Sequence, residues 1–113
     1  MSEPASISSG IAERYATAIF EIAKESKSLP KLESNIADLA AALDSSEELR
    51  EVIASPVLSR AEQGKVMAAL AKKMKLEPAM GNGLAVMAEK RRLFVLPQLL
   101  TRLSDMIAED KGE

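Results

Sequence analysis

The strongest constraint on how this chain folds is the spacing of its apolar residues, which recur three and four positions apart in one segment after another. Such spacing places apolar side chains on one face of an α-helix. It is clearest near the end of the chain, in a stripe formed by Leu96, Leu99, Leu100, Leu103, Met106 and Ile107. Aromatic residues make up only 3% of the 113 residues. The core must therefore consist of aliphatic side chains and Met, a composition that favours helices over strands.

Breakers and capping residues divide this pattern into six predicted helices. They run from about Ser9 to Lys27, from near Pro30 through Leu43, around Leu49 to Ile53, from Ser59 to Met74, from Pro78 to Arg92, and from near Pro97 to Ala108. Ser8 or Ser9 is the expected N-cap of the first helix. Ser59 and Glu62 have the spacing of a capping box at the start of the fourth. Because the connections are short, we predict an all-α protein, a compact six-helix bundle with antiparallel neighbours.

The same pattern predicts how the chain is divided along its length. We expect a flexible N-terminus over residues 1–8, the helical bundle over 9–108, and a polar tail over 109–113. The weakest element is the fifth helix, because Gly81-Asn82-Gly83 contains an Asn-Gly turn signal. Local sequence alone allows this signal to split the fifth helix or to delay its start.

Residue types that the chain lacks narrow the range of functions. It has no Cys and no His, which excludes a disulfide framework and removes the commonest general base and metal ligand. An enzyme can be built without both residues, but most familiar catalytic constellations are excluded. We predict no catalytic, cofactor-binding or metal-binding residues, and a protein that is not an enzyme. The net charge of −2 argues against nucleic-acid binding. No signal peptide is visible and no segment is apolar over the roughly 20 residues of a membrane span, so we expect a soluble, cytosolic chain without membrane insertion.

Charged clusters are interpreted as features of helices. The basic runs at residues 72–75 and 90–92 fall at predicted helix C-termini, where cations complement the helix dipole. Binding of RNA or anionic lipid through these runs is the alternative. Carboxylates such as Glu21 and Asp44 are interpreted as parts of solvated helix faces, and a hydrolase built from paired acids is the weakest alternative.

The first helix has more apolar surface than a single core contact requires. One apolar arc is formed by Ala12, Ala16, Ile19, Phe20 and Ala23, and a second arc beside it by Ile11, Tyr15, Ala18 and Ile22. Together they span roughly 200°, twice the stripe of about 100° that is typical of a surface helix. Two interpretations fit. Either this helix is buried on both sides by its own chain, or one arc faces the core and the other lines a groove for a partner helix.

The fifth helix gives a weaker form of the same signal. Its expected core face is formed by Met80, Leu84, Met87 and Ala88. Val86 falls on the opposite side, surrounded by Ala79, Asn82, Gly83 and Ala85. Small residues around one Val make a shallow surface on which another helix fits closely, but a single exposed Val needs no functional explanation.

The segment from Ala12 to Ala23, with Arg14-Tyr15-Ala16 followed by Ala18 and Phe20, resembles the opening signature of the ATP synthase δ/OSCP family. Three weaker matches follow in the order of the family. They are the short helix ending at Ser55-Pro56, the Glu62 and Lys65 pair, and the segment from Asn82 to Leu96. The resemblance covers nearly the whole chain. A C-terminal domain that joins the peripheral-stalk b subunits in this family has no counterpart in these residues.

The resemblance implies a non-catalytic stator component of the F1Fo ATP synthase at the cytoplasmic face of a bacterial inner membrane. In this family the six-helix domain sits on the α3β3 head, and an N-terminal helix of an α subunit docks between the first and fifth helices. Carried onto this sequence, the groove residues are Ile11, Tyr15, Ala18, Ile22, Asn82, Val86 and Glu89. The alternative is a generic adaptor that binds a different amphipathic helix.

Overall fold

A computed structural model describes residues 4–112, with side chains from residue 7 onward. Within this part the chain forms six α-helices and one 3₁₀ turn. The helices are α1 (Pro4–Glu25), α2 (Leu29–Ser45), α3 (Glu47–Ala54), α4 (Arg60–Met74), α5 (Pro78–Glu89) and α6 (Leu96–Asp110), with the 3₁₀ turn (Leu93–Val95) before α6. The predicted all-α bundle of six helices is confirmed.

The starts of α3 and α4 follow the capping chemistry of the sequence. The Ser46 hydroxyl accepts a hydrogen bond from the Leu49 N–H at 3.0 Å and so caps α3. The predicted capping box of α4 is present, since the Ser59 hydroxyl accepts from the Glu62 N–H at 3.0 Å and the Glu62 carboxylate accepts from the Ser59 N–H at 2.8 Å. Each cap satisfies backbone donors that have no partner within the first turn.

The start of α1 differs from the prediction. It begins at Pro4 rather than near Ser9, so Ser8 and Ser9 lie inside the helix and neither is its N-cap. Proline fits the first turn of a helix because its fixed φ is helical and the N–H it lacks would have no partner there. The predicted flexibility of residues 1–8 stays a prediction, and residues 1–3 lie outside the described part of the chain.

Three helices end in a left-handed residue that is not glycine. Lys27 after α1, Lys75 after α4 and Arg91 after α5 have φ values of 59°, 54° and 59°. The next residue in each case donates its N–H back into the last turn, as Arg92 does to the Met87 carbonyl at 2.8 Å. This is the Schellman arrangement, and it reverses the chain direction within a few residues. It also explains why α5 ends at Glu89, before the predicted Arg92.

The Asn-Gly signal does not interrupt α5. Gly81, Asn82 and Gly83 all lie within this helix, which starts at Pro78 as predicted. The Glu77 carboxylate accepts a hydrogen bond from the Ala79 N–H at 2.7 Å and caps the helix. Burial of the face that includes Leu84 and Met87 supplies further stability, and packing of this kind overrides a weak local preference.

Cross-helix contacts define how the bundle is arranged around α1. α1 and α6 run parallel, because Glu13 pairs with Arg102 at 2.6 Å and, further along both helices, Lys24 pairs with Asp110 at 2.5 Å. α2 runs antiparallel to α6, since Glu33 near its start pairs at 2.8 Å with Lys111, just after α6. The core between the helices is built mainly from aliphatic residues and Met, including Leu32, Leu39, Met67, Met80, Leu84, Met87, Leu96, Leu99 and Leu103.

Candidate helix-binding groove between the first and fifth helices

The two apolar arcs of α1 have different environments. The first arc points inward, with Ala12, Ala16, Ile19 and Ala23 all buried. In the second arc Ile11 and Tyr15 are half-buried, Ala18 is exposed, and Ile22 is 52% exposed. The protein's own core therefore leaves part of this arc in contact with solvent. Of the two interpretations of the helix, this burial pattern favours the one in which a second arc is available to a partner.

On α5 the predicted separation of faces is confirmed for its central residues. Met87 is buried while its neighbour Val86 is 43% exposed, and Asn82, Ala85 and Glu89 are exposed. Ala79 lies seven residues before Val86 and therefore on the same side of the helix, but it is buried with 5% exposure. At the first turn, where Glu77 caps α5, this side of the helix is covered by the rest of the domain.

α1 and α5 are in close contact at Gly83. A β-carbon at this position would lie 2.8 Å from Ile19 Cδ1 and 3.2 Å from Ile19 Cγ1. The first distance is shorter than real side chains tolerate, so the absence of a side chain at Gly83 allows the buried Ile19 to pack directly against the α5 backbone. The sequence places Gly83 near Val86 but does not reveal this packing role, because the role depends on which helix lies opposite Gly83.

A buried polar cluster fixes the start of α5 against the end of α1. The Glu77 carboxylate accepts a hydrogen bond from the Ser28 hydroxyl at 2.8 Å, and the Glu77 N–H donates to the Asn35 side-chain oxygen at 2.6 Å. Glu77 and Asn35 are both 4% exposed. Since Ser28 follows α1 while Glu77 precedes α5, the two helices run antiparallel. Ile22 therefore lies toward the end with Asn82, and Ile11 toward the end with Glu89.

Arg91 holds the other end of α5 in place. Its guanidinium donates hydrogen bonds to the carbonyls of Leu58 and Pro56 and to the Gln63 side chain, which joins the end of α5 to the loop between α3 and α4. With Glu77 fixing the first turn and Arg91 the last, α5 has little freedom to slide along α1. The exposed residues of the candidate groove are therefore held by a rigid support.

Charged side chains border the apolar surface on α1. Ala18 and Ile22 line a shallow depression together with Glu21, Lys24 and Glu25. The Lys24 ammonium lies 5.8 Å from the centre of the Phe20 ring and is also paired with Asp110. This surface suits a ligand with an apolar face and polar flanks. Over the described residues, no three carboxylates gather closely enough to hold a metal ion.

Residues 11–113 of this chain match the model of a protein family described as "ATP synthase delta (OSCP) subunit". The chain belongs to the ATP synthase delta (OSCP) subunit family. The family resemblance seen in the sequence is thereby confirmed, and the match includes all seven predicted groove residues.

Two curated relatives illustrate how similar the chain is to known delta subunits. The ATP synthase subunit delta of Ruegeria pomeroyi is 64% identical over 105 residues, which cover 93% of this chain and 56% of the relative. That of Dinoroseobacter shibae is 58% identical over 113 residues, which cover all of this chain and 61% of the relative. The chain thus spans less than two thirds of the length of these delta subunits.

A solved structure also has the same fold. A chain in the cryo-EM structure of the Toxoplasma gondii mitochondrial ATP synthase hexamer matches with a TM-score of 0.71 at 32% identity, over 83% of this chain and 50% of the other. The helical arrangement of this delta-family domain therefore also occurs in a chain of a mitochondrial ATP synthase. Within the described part of our chain, no helix combines the length and the apolar character needed to cross a membrane.

Proposed function

We propose that this domain is a non-catalytic stator component of an F-type ATP synthase, and that it binds the N-terminal helix of an α subunit in the groove between α1 and α5. The observation that carries the proposal is the exposed apolar surface formed by Ile22 on α1 and Val86 on α5, on either side of the close packing at Gly83. The names of the relatives, all ATP synthase delta subunits, supply the complex in which the groove acts.

The mechanism is mechanical and involves no chemical step. Rotation of the central stalk exerts torque on the α3β3 head, which must be held still for that torque to drive ATP synthesis. A helix bound in an apolar groove suits this task, because each 100 Å² of apolar surface buried contributes about 2.5 kcal/mol before the cost of association is subtracted. The rigid support of α5 by Glu77 and Arg91 transmits the load to the rest of the bundle.

The remaining contacts of the stator belong to other parts of the complex. We propose that the peripheral-stalk b subunits are joined through a C-terminal domain beyond the 113 residues described by this sequence. The domain then sits peripherally, on the cytoplasmic face of the energy-transducing membrane, bound to the head and not to lipid. The rival function, a generic adaptor for another amphipathic helix, uses the same groove and differs only in its ligand.

An NMR titration of the isotope-labelled chain with the cognate α-subunit N-terminal peptide tests the proposal. We expect shifts concentrated at Tyr15, Ala18, Asn82 and Val86. The substitution Val86→Asp should abolish binding and leave the helical circular dichroism unchanged, because Val86 is exposed. The matched control Ala41→Asp, at an exposed site on α2 outside the groove, should bind as the unmodified chain does.

A second substitution separates loss of binding from loss of fold. Met87 is fully buried, so Met87→Asp should unfold the domain because it places a charge without a partner in the core. Equal unfolding of the Val86→Asp and Met87→Asp variants would contradict the assignment of faces on α5. An absence of shifts at saturating peptide would refute the groove as the α-subunit site, and binding of unrelated amphipathic helices with equal affinity would favour the adaptor.

A further inference from the structure

A second depression lies between α2 and α6, on surfaces that the groove between α1 and α5 does not use. Its volume is about 990 Å³, compared with about 510 Å³ for the depression at Ala18 and Ile22. None of its lining residues belongs to α1 or α5. The floor is apolar and is formed by Ile36, Leu43, Leu100 and Ile107. We refer to it below as the α2/α6 trough.

The shape of the trough fits a helix. α2 and α6 run antiparallel along it, and the lining residues of α2 extend from Glu33 to Asp44, a length of roughly 16 Å or three helical turns. The α2 wall includes Ala37 and Ala40, which are exposed and small. Small side chains on one wall allow the backbone of a third helix to come close.

Both ends of the trough are fixed by hydrogen bonds and ion pairs. At one end Lys111 pairs with Glu33 at 2.8 Å. At the other the Arg50 guanidinium donates to the carbonyls of Leu43 and Asp44, where it caps the C-terminus of α2. Lys111 is paired with Glu33, whereas Arg50 donates only to neutral carbonyls and keeps its positive charge beside Asp44. The contacts at both ends hold the trough open before any ligand binds.

The net charge of the rim is negative, because Glu33, Asp44 and Asp105 outnumber Lys111 and Arg50. Asp44 and Asp105 line opposite walls, on α2 and α6, and neither forms a salt bridge within the described part of the chain. The neighbouring cation on α6, Arg102, is turned to Glu13 and Glu109. An apolar floor between two acidic walls is complementary to an amphipathic helix whose flanks carry Lys or Arg.

We propose that the α2/α6 trough binds a basic amphipathic helix of a partner protein, independently of the groove between α1 and α5. Apolar residues of the helix, spaced three and four positions apart, would rest on the floor while its cationic flanks face Asp44 and Asp105. A second copy of this chain is a poorer occupant. A two-fold interface through the trough would bring the same acidic walls of both copies together, and like charges repel.

The test uses a pair of synthetic helical peptides of 18 residues with the same Leu and Ala face. One carries Lys on both flanks and its twin carries Glu at those positions. Titrated into the labelled 113-residue chain, the Lys peptide should shift the amide signals of Ala37, Ala40, Leu100 and Ser104, and the Glu twin should not. Equal binding of the twin, or shifts confined to Ala18 and Val86, would overturn the proposal.

Matched variants on α2 locate the site. Ala40→Arg should abolish binding of the Lys peptide because it adds both bulk and positive charge to the wall, whereas Ala41→Arg, at an exposed position that does not line the trough, should leave it unchanged. Equal loss in both variants would overturn the proposal. If the unliganded chain dimerises and Ala40→Arg abolishes that dimerisation, the occupant of the trough is a second copy of the chain and the proposal is overturned.

Two further comparisons test the charge argument and the independence of the two surfaces. Asp105→Asn should lower the affinity for the Lys peptide about two- to fivefold, as expected for the loss of one surface charge pair. Asp38→Asn, at an exposed position outside the trough, should leave the affinity unchanged. An unchanged affinity in Asp105→Asn would contradict the assigned role of the acidic walls. Val86→Asp should leave binding in the trough intact even though it abolishes binding to the α1/α5 groove, so each proposal can fail without the other.

Discussion

Replacing Gly83 with alanine isolates the contact on which the groove between α1 and α5 is built. Two effects oppose each other. Alanine is favoured over glycine inside a helix by about 1 kcal/mol. The added β-carbon, however, would lie 2.8 Å from Ile19 Cδ1. Ile19 is only 3% exposed and has little room to move, and overpacking of this kind costs about 1–3 kcal/mol. We expect Gly83→Ala to be neutral or to destabilise the domain by up to about 2 kcal/mol.

Gly64 in α4 supplies the matched control. It also lies inside a helix, but a β-carbon there would meet nothing within 4 Å. Gly64→Ala should therefore stabilise the domain by about 1 kcal/mol. The assay is urea unfolding followed by circular dichroism, in which a change of midpoint at constant slope reports stability. If Gly83→Ala stabilises the domain as much as Gly64→Ala does, the close contact with Ile19 does not exist as described.

A double-mutant cycle identifies the contact partner. Ile19→Val removes the Cδ1 atom and should itself cost about 0.5–1.5 kcal/mol. In that background Gly83→Ala should lose most of its penalty, giving a coupling energy of about 1 kcal/mol. If the effects of the two substitutions on stability are additive, the strain in Gly83→Ala does not come from contact with Ile19. Gly83→Ala should also lower the affinity for the α-subunit peptide, because the added methyl group pushes α1 and α5 apart. Gly64→Ala should leave this affinity unchanged.

Two further predictions concern helix ends. Lys75 has a φ of 54°, which costs an L-residue about 1 kcal/mol relative to glycine, so Lys75→Gly should raise the melting temperature; a lower one would contradict this. Hydrogen bonds with Ser59 lower the pKa of Glu62 below its ordinary 4.5. A lowered folded-state pKa contributes stability that is complete above 4.5 and lost as pH falls through the folded value. The stability advantage of the unmodified chain over Glu62→Gln should therefore shrink between about pH 6 and about pH 3 in urea unfolding, and a constant difference would refute the capping role.

The sequence predicted the elements that depend on local chemistry. The capping box predicted at Ser59 involves side chains within three residues of their backbone partners, so spacing alone reveals it. The helix ends at Lys27, Lys75 and Arg91 were less predictable, because a left-handed residue at a helix end is normally predicted where the sequence has a glycine. At these positions the N–H of the following residue donates back into the last turn and supports the reversal.

The candidate groove was predictable in its composition but not in its construction. A helical wheel separates Val86 from Met87, and burial agrees. It cannot show that Gly83 meets Ile19, because that contact joins two helices far apart in sequence. For the same reason the α2/α6 trough was not foreseen. Ala37 and Ala40 are unremarkable on α2 until α6 is placed beside them.

The parallel packing of α1 against α6 has a consequence for how the domain is made. The ion pairs between Glu13 and Arg102 and between Lys24 and Asp110 join the first helix to the last, so α1 cannot reach its final packing until Leu96–Asp110 has left the ribosome. Until then its apolar arcs remain without their native cover, a state prone to aggregation. Nascent chains stopped before α6 should therefore depend on chaperones far more than chains released after Asp110.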